Sequence, residues 1–386
     1  MNSGIGLIPG GERAAVATID LAALAHNLEQ VRRWTPGRRI LAVVKAQAYG
    51  HGAIGIARAL SGRVDGLGVA CVGEAMALRA AGITGRIVVL EGVHHADELA
   101  RCAHGQLTPV VHSAWQIQAL QQFATPTPIP VWLKVNTGMH RLGFGTSDVA
   151  DAFATLGGLS SVSEVEVVMS HLACADDLDD PATSVQLQRF SGAVGGLPAA
   201  RSIANSAAVL GWPASHGDWV RPGLMLYGVS PFVGRSAAAL GLRPVMRLRA
   251  PLIAVNRAEV GARLGYGGVW RCQRPTRYGV VALGYGHGFP RRAPAGTPMA
   301  LPTGYAPVIG RISMDMLTID LTECADVRIG EWVEAWGPCC PVEGLAERVD
   351  TIAYELLCGV WGRARYQWHE APGLASPDRP TTQSAL

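Results

Sequence analysis

Between residues 39 and 223 the chain alternates short β-branched apolar runs with stretches of helical character, and it does so eight times. The runs are "RILAVVK", "GLGVA", "RIVVL", "LTPVVH", "IPVWLKVN", "VEVVMSH", "ARSIAN" and "WVRPG". Between most of them lie segments such as "AIGIARAL", "GEAMALRAAG", "SAWQIQALQQF" and "SVQLQRFSGAVGGL". The runs are apolar on both parities, as strands covered on both faces must be, and such strands pair in parallel. A parallel neighbour needs a crossover, which the helical segments supply. Eight units predict an α/β barrel, TIM-like (β/α)8, near the small end of its usual size. A further helix opens at Asp20, where Leu21, Leu24, Leu28 and Val31 recur at spacings of three and four.

Near Pro244 the rhythm changes. "VMRLRAPLIAV", "RYGVVALGY", "APVIGRISMDMLTIDL" and "EWVEAW" are strand-like, with glycine and proline turns between them and one convincing helix, "TIAYELLCG". The expected division is a flexible N-terminus over 1–13, the barrel over 14–246, a C-terminal β-rich domain over 247–371 and a disordered tail over 372–386.

Composition narrows the classes of function. Of 386 residues 49% are hydrophobic and 16% charged, a balance that suits packed domains. The formal net charge is +3 and no block of lysines or arginines occurs, so neither nucleic acid nor an anionic membrane is implied. No run approaches ~18 apolar residues, and no secretory signal is evident. The eight cysteines show no C-x-x-C pair, and adjacent Cys339 and Cys340 make a poor disulfide framework; a cytoplasmic protein is expected.

In a barrel of this kind chemistry sits at the carboxyl ends of the strands. Lys45 is the last residue of the first run. A semi-buried amine there loses solvation, which favours its neutral, nucleophilic form and suits a Schiff base with a carbonyl compound. The alternative is a strand-end lysine reaching out to solvent. Other strand ends add Lys134 and Arg141, then His171, then Asn205 and Ser206 at a helix start, and finally Arg221 followed by Gly223. Barrels often bind phosphate after strands seven and eight, where Ser206 and Gly223 fall. An aldehyde partner for Lys45, an anion site and a ring partner in His171 together describe a phosphorylated carbonyl cofactor, and pyridoxal 5'-phosphate fits.

The stretches "AVVKAQAYGHG", "KVNTGMHRLGF", "MSHLACADD", "NSAA", "RPGLMLYG", "GYGHGFPRR", "GRISMDM" and "TIAYELLCG" resemble, in order, the motifs of bacterial alanine racemases, enzymes of fold type III that use pyridoxal phosphate. The resemblance runs from about residue 14 to residue 371. It implies that Lys45 carries the cofactor and serves as one catalytic base, and that Tyr266 is the second. Arg221 would face the pyridine nitrogen and His171 would pack near the ring. Tyr49, Ser206, Gly223 and Tyr354 would hold the phosphate, with Asn205 beside them. Arg141 would touch the ring hydroxyl and the substrate carboxylate. Tyr285 would narrow the substrate entrance, and Met314 with Asp315 would close the pocket. Lys134 matches a lysine that is carbamylated in many members and orients the arginine at 141; Asn136 stands where an aspartate is common. In the family the tyrosine base comes from a partner chain, so a homodimer with shared sites is implied.

Two bases make sense for racemisation, which removes a proton from one face of a carbon and returns one to the other. Departures from the family pattern are Gln47, where aspartate or asparagine is usual, His287, where aspartate is frequent, and Ala353, where asparagine is frequent. His51, His140 and the pair His94–His95 lack ligand partners at persuasive spacing, so no metal is expected. Alongside interconversion of L- and D-alanine, to supply D-alanine for cell wall or to catabolise it, three alternatives stand. One is a racemase of broader scope that accepts serine. Another is a fold type III decarboxylase, which places a carboxylate rather than an arginine against the ring nitrogen. The last is a non-catalytic cofactor carrier, which lacks the β domain and its tyrosine.

Overall fold

A computed structural model describes residues 15–369. The N-terminus expected to be flexible over 1–13 and the tail expected to be disordered over 372–386 lie outside the described residues. By its internal contacts the described chain divides into two units, one of residues 25–226 and 230–235, the other of 15–24, 227–229 and 236–369.

The first unit is a closed barrel of parallel strands. These are β2 (Arg39–Val43), β3 (Gly66–Val69), β4 (Ile87–Val89), β5 (Thr108–Val111), β6 (Ile129–Lys134), β7 (Val162–Met169), β8 (Ala200–Ser202) and β9 (Trp219–Val220). Seven fall within one of the eight apolar runs, β7 starts three residues before its run at Val162, and β9 closes on β2 through Arg39↔Trp219 and Ile40↔Val220. The interior is filled by Leu41, Val88, Val110, Trp132, Val167, Met169 and Trp219, all essentially buried. The Trp132 and Trp219 rings meet at 5.4 Å. At the N-terminal end of the strands a cavity of about 540 Å³ is lined by Arg39, Arg86, Glu166, Asp218 and Trp219. It lies at the opposite end of the strands from Lys45, so size alone does not locate the chemistry.

The second unit is antiparallel and organised on one long strand. Its strands are β1 (Val16–Asp20), β10 (Met246–Ala258), β11 (Arg263–Leu264), β12 (Trp270–Arg271), β13 (Thr276–Val281), β14 (Pro298–Leu301), β15 (Gly304–Ile309), β16 (Leu317–Asp320), β17 (Trp332–Trp336) and β18 (Arg365–His369). β10 pairs with β17 along its first half and with β13 along its second. The buried Glu334 carboxylate accepts from Arg247 Nε at 2.6 Å and from the Cys339 and Cys340 amides, so its charge is compensated.

Three features differ from the sequence expectation. The barrel domain was expected from residue 14, yet β1 belongs to the β unit, antiparallel to β10 and parallel to β18. Its five residues run directly into the helix Leu21–Trp34, whose start Asp20 caps by accepting from the Ala22 and Ala23 amides. A strand that short, fused to a strong helix signal, carries no local mark of a partner more than 200 positions away. The run "APVIGRISMDMLTIDL" is two strands, because Gly310 (φ +72°) ends β15. The helix Val342–Arg348 and the strands β11, β12, β14 and β18 had no expectation. Among the described residues no helix is long and apolar enough to cross a membrane.

Candidate active site

β2 ends at Val43, and Lys45 lies two residues beyond it, at the start of a turn rather than on the strand. That turn is left-handed: Ala46, Gln47, Ala48 and Tyr49 all have φ between +51° and +56°. Each such non-glycine residue costs roughly 1–2 kcal/mol, so the surrounding structure must hold it. Several bonds do. Ala48 N donates to Val44 O at 2.9 Å and Gly52 N donates to Gln47 O at 2.7 Å. The Gln47 side-chain oxygen accepts from Ala53 N at 3.3 Å, at the start of the helix Ala53–Leu60. Buried His51 lies with Nδ1 3.0 Å from Ala48 O and 2.9 Å from Tyr49 O. Burial pulls the His51 pKa down to about 4, so the ring is neutral and donates from Nδ1. Gln47 and His51, without a role in the sequence, are thus parts of this turn.

Tyr49 reaches the strand-eight loop. A Cβ on Gly223 would lie 2.4 Å from the Tyr49 hydroxyl oxygen, so only glycine permits this approach. Beside it, Ser206 Oγ accepts from the Gly223 amide at 2.9 Å and from the Met225 amide at 3.2 Å. Asn205 caps the helix Ser206–Gly211 by accepting from Ala208 N.

Arg221 is 4% exposed. It donates through Nη1 to Ser202 Oγ and through Nη2 to Ser170 O and to His171 Nδ1 at 3.1 Å. A guanidinium only donates, so His171 Nδ1 accepts and its proton sits on Nε2. Burial, with Arg221, Lys134, Arg141 and Lys45 nearby, holds His171 well below its ordinary pKa. Arg221 itself is lowered by burial to about 10 and stays charged at neutral pH. Its Nε–H has no acceptor among the described residues. Lys134, 7% exposed, ends β6. The loop after it is shaped by Asn136, whose side-chain oxygen accepts from Gly138 N and His140 N and leads the chain to the exposed Arg141.

In the β unit the structure brings Tyr285 together with Met314 and Asp315. Tyr285 N donates to Ser313 O and Gly286 N to Met314 O at 2.7 Å, which sets the turn carrying Tyr285 against the segment of Met314 and Asp315. A Cβ on Gly284 would lie 2.3 Å from Met314 O. His287 Nδ1 accepts from Gly284 N at 3.2 Å, so the residue that departs from the family pattern closes this turn. Tyr266 sits in a Gly-Tyr-Gly-Gly loop whose glycines all have positive φ. Arg263 pins that loop by donating to Gly267 O and Gly268 O. The pinned tyrosine is 68% exposed, and Met314 is 55% exposed. Tyr354, in the helix Ala353–Cys358, is half-exposed.

The barrel and the β unit each match one domain of a single family. Residues 19–231 match the model for the alanine racemase N-terminal domain, and residues 245–368 that for the alanine racemase C-terminal domain. The chain belongs to the alanine racemase family. It is 48% identical to the alanine racemase of Thioalkalivibrio sulfidiphilus over 92% of this chain and 99% of that one. The biosynthetic alanine racemase of Pseudomonas aeruginosa superposes with a TM-score of 0.89 at 43% identity, covering 93% of this chain and all of that one. The structure from Bartonella henselae with covalently bound pyridoxal phosphate superposes with a TM-score of 0.84 at 28% identity, again covering 93% of this chain and all of that one.

Within this racemase chain Lys134 has a measurable consequence. Burial, then Arg221, Arg141 and Lys45, push its ammonium down to about 8. The folded protein therefore holds this proton less tightly than the unfolded chain. The cost, about 3 kcal/mol, is complete below about pH 8 and fades as pH rises toward the ordinary lysine value. In bicarbonate-free buffer, Lys134→Met is expected to be more stable than the parent at pH 7 by up to that amount. The gain should shrink toward pH 10 in denaturant titrations; a gain independent of pH would refute the assignment.

Proposed function

We propose that this chain interconverts L- and D-alanine with pyridoxal 5'-phosphate as cofactor, using Lys45 and Tyr266 as the two bases. The observation that carries the reading is the group of cations Lys45, Lys134, Arg141 and Arg221, close enough to act on one another's charge beside the Tyr49–Gly223–Ser206 cradle. Such a cluster needs an anionic occupant. The residues fit this cofactor: Arg221 has an unpaired Nε–H on a buried side chain for a ring nitrogen, and Tyr49, Ser206 and the Gly223 backbone suit a phosphate.

When bound, the cofactor supplies an electron sink that acidifies the α-hydrogen of an amino acid. Lys45 would hold the cofactor, and its amine would move a proton on one face of that carbon. Tyr266 moves one on the other face. Arg141 orients the substrate carboxylate. Arg221 remains protonated and only donates, so it leaves the ring nitrogen unprotonated. A weaker sink suits racemisation, where the only event wanted at the α-carbon is proton exchange. The same arginine disfavours a decarboxylase of basic amino acids, and the second domain with Tyr266 disfavours a carrier without chemistry.

The exposure of Tyr266 supports a homodimer: a base must be shielded beside its substrate, and a second copy would cover it. We place the protein in the cytoplasm, where its eight free thiols are stable. The test of the substrate is interconversion of enantiomers across alanine, serine, lysine and arginine. Alanine is expected to give the highest kcat/KM, and a better rate with any of the others would overturn the specificity.

A further inference from the structure

We propose that Glu74 and His51 are positioning residues that clamp the two ends of the left-handed turn and so place Lys45 and Tyr49. The proposal rests on the function given to those two residues above; neither clamp residue touches substrate or cofactor in it.

A left-handed turn begins with amide groups that have no acceptor within the turn. The first, on Ala46, directly follows Lys45 and donates to Glu74 Oε1 at 2.8 Å. The other carboxylate oxygen accepts from Ala70 N at 2.7 Å, just past the end of β3. One side chain thus ties the peptide after the catalytic lysine to the neighbouring strand, and β3 is already registered to β2 through Leu41↔Gly66 and Val44 N to Gly68 O. Both oxygens are engaged, so the carboxylate cannot swing without releasing a bond. At the far end His51 gathers the carbonyls of Ala48 and Tyr49 on one nitrogen. Between the clamps lie four consecutive non-glycine residues in a conformation that side chains disfavour. Freed at either end, the turn relaxes toward the right-handed region and carries the Lys45 amine with it. A misplacement near 1 Å at a reacting group can cost ~10²-fold in rate.

The test compares Glu74→Gln with Glu98→Gln in the holoenzyme. Glu98 is the matched control: it too starts a barrel helix and accepts a backbone amide, that of His94 at 2.7 Å, but it braces no site residue. Glutamine at 74 keeps one acceptor and turns an NH2 group toward the other amide. Glu74→Gln is expected to lower kcat for alanine ten- to a hundredfold with KM within about threefold. It should also shift the pH titration of the bound cofactor's visible absorbance, which reports on the lysine's surroundings. Glu98→Gln should leave both at parent values. Ala46→Gly, which removes the side-chain penalty of the left-handed region, should recover several-fold of the lost kcat in the Glu74→Gln background. If Glu74→Gln does not fold, His51→Asn against His51→Phe carries the same readouts, with asparagine retaining a donor and more of the activity. Equal kcat and equal titrations for the two glutamate variants would overturn the clamp. A parent enzyme without alanine racemisation would instead overturn the function on which it rests.

Discussion

Lys45→Ala is expected to lose both the visible absorbance of the bound cofactor and racemisation. One side chain carries two duties there, anchor and base, so the drop should exceed about 10⁴-fold. The loss should not come from unfolding. Lys45 is half-buried, it ends no strand, and the turn behind it is held by backbone and neighbouring side chains rather than by its amine. Melting of the cofactor-free variant should therefore match that of the cofactor-free parent within a few degrees. Cofactor affinity should fall but not vanish, because Arg221 and the Tyr49–Gly223–Ser206 cradle are intact. An added primary amine should restore part of the lost rate. Unchanged absorbance in the alanine variant would remove Lys45 from the cofactor altogether.

Tyr266→Phe separates the two bases. The phenylalanine variant should keep its cofactor and its absorbance while kcat falls ~10²- to 10⁴-fold in both directions, the usual contribution of one acid–base group. In deuterated water one enantiomer of alanine should still exchange its α-hydrogen without changing hand, since Lys45 serves that face alone. The same variant tests how the site is assembled. Lys45→Ala and Tyr266→Phe subunits, each inactive, are mixed by joint refolding. If the tyrosine acts on the partner's lysine, half of the dimers are mixed and half of the sites in these are intact. About one quarter of parental activity should then return. If each chain uses its own tyrosine, nothing returns.

The legibility of this protein was uneven, for reasons that particular residues show. The barrel strands were visible because a strand covered on both faces is apolar at successive positions, and runs such as "LAVV" and "IVVL" have few other uses. The polar strand ends His171 and Arg221 were visible for the same reason, as interruptions of that rule. His171 and Arg221 do meet, at 3.1 Å, although β8 stands between their strands β7 and β9, because the Arg221 side chain reaches past Ser202 of β8. β1 was not visible, because its partners β10 and β18 are set by pairing across most of the chain. Nor was the left-handed turn. "KAQAYGHG" holds two glycines, but the disfavoured dihedrals fall on alanine, glutamine and tyrosine. Local propensity argues against what Glu74, 28 positions away, helps to impose.

The sequence by itself determined which side chains are present at each strand end and in what order, since hydrophobic periodicity and motif spacing are local properties. Tertiary structure alone decided their state. It lowered Lys134 to about 8 by burying it among cations, fixed the tautomer of His171 by giving it only a donor for a neighbour, and left Tyr266 pinned yet uncovered. Charge, protonation and exposure depend on what stands a few ångströms away, and only the fold chooses those neighbours.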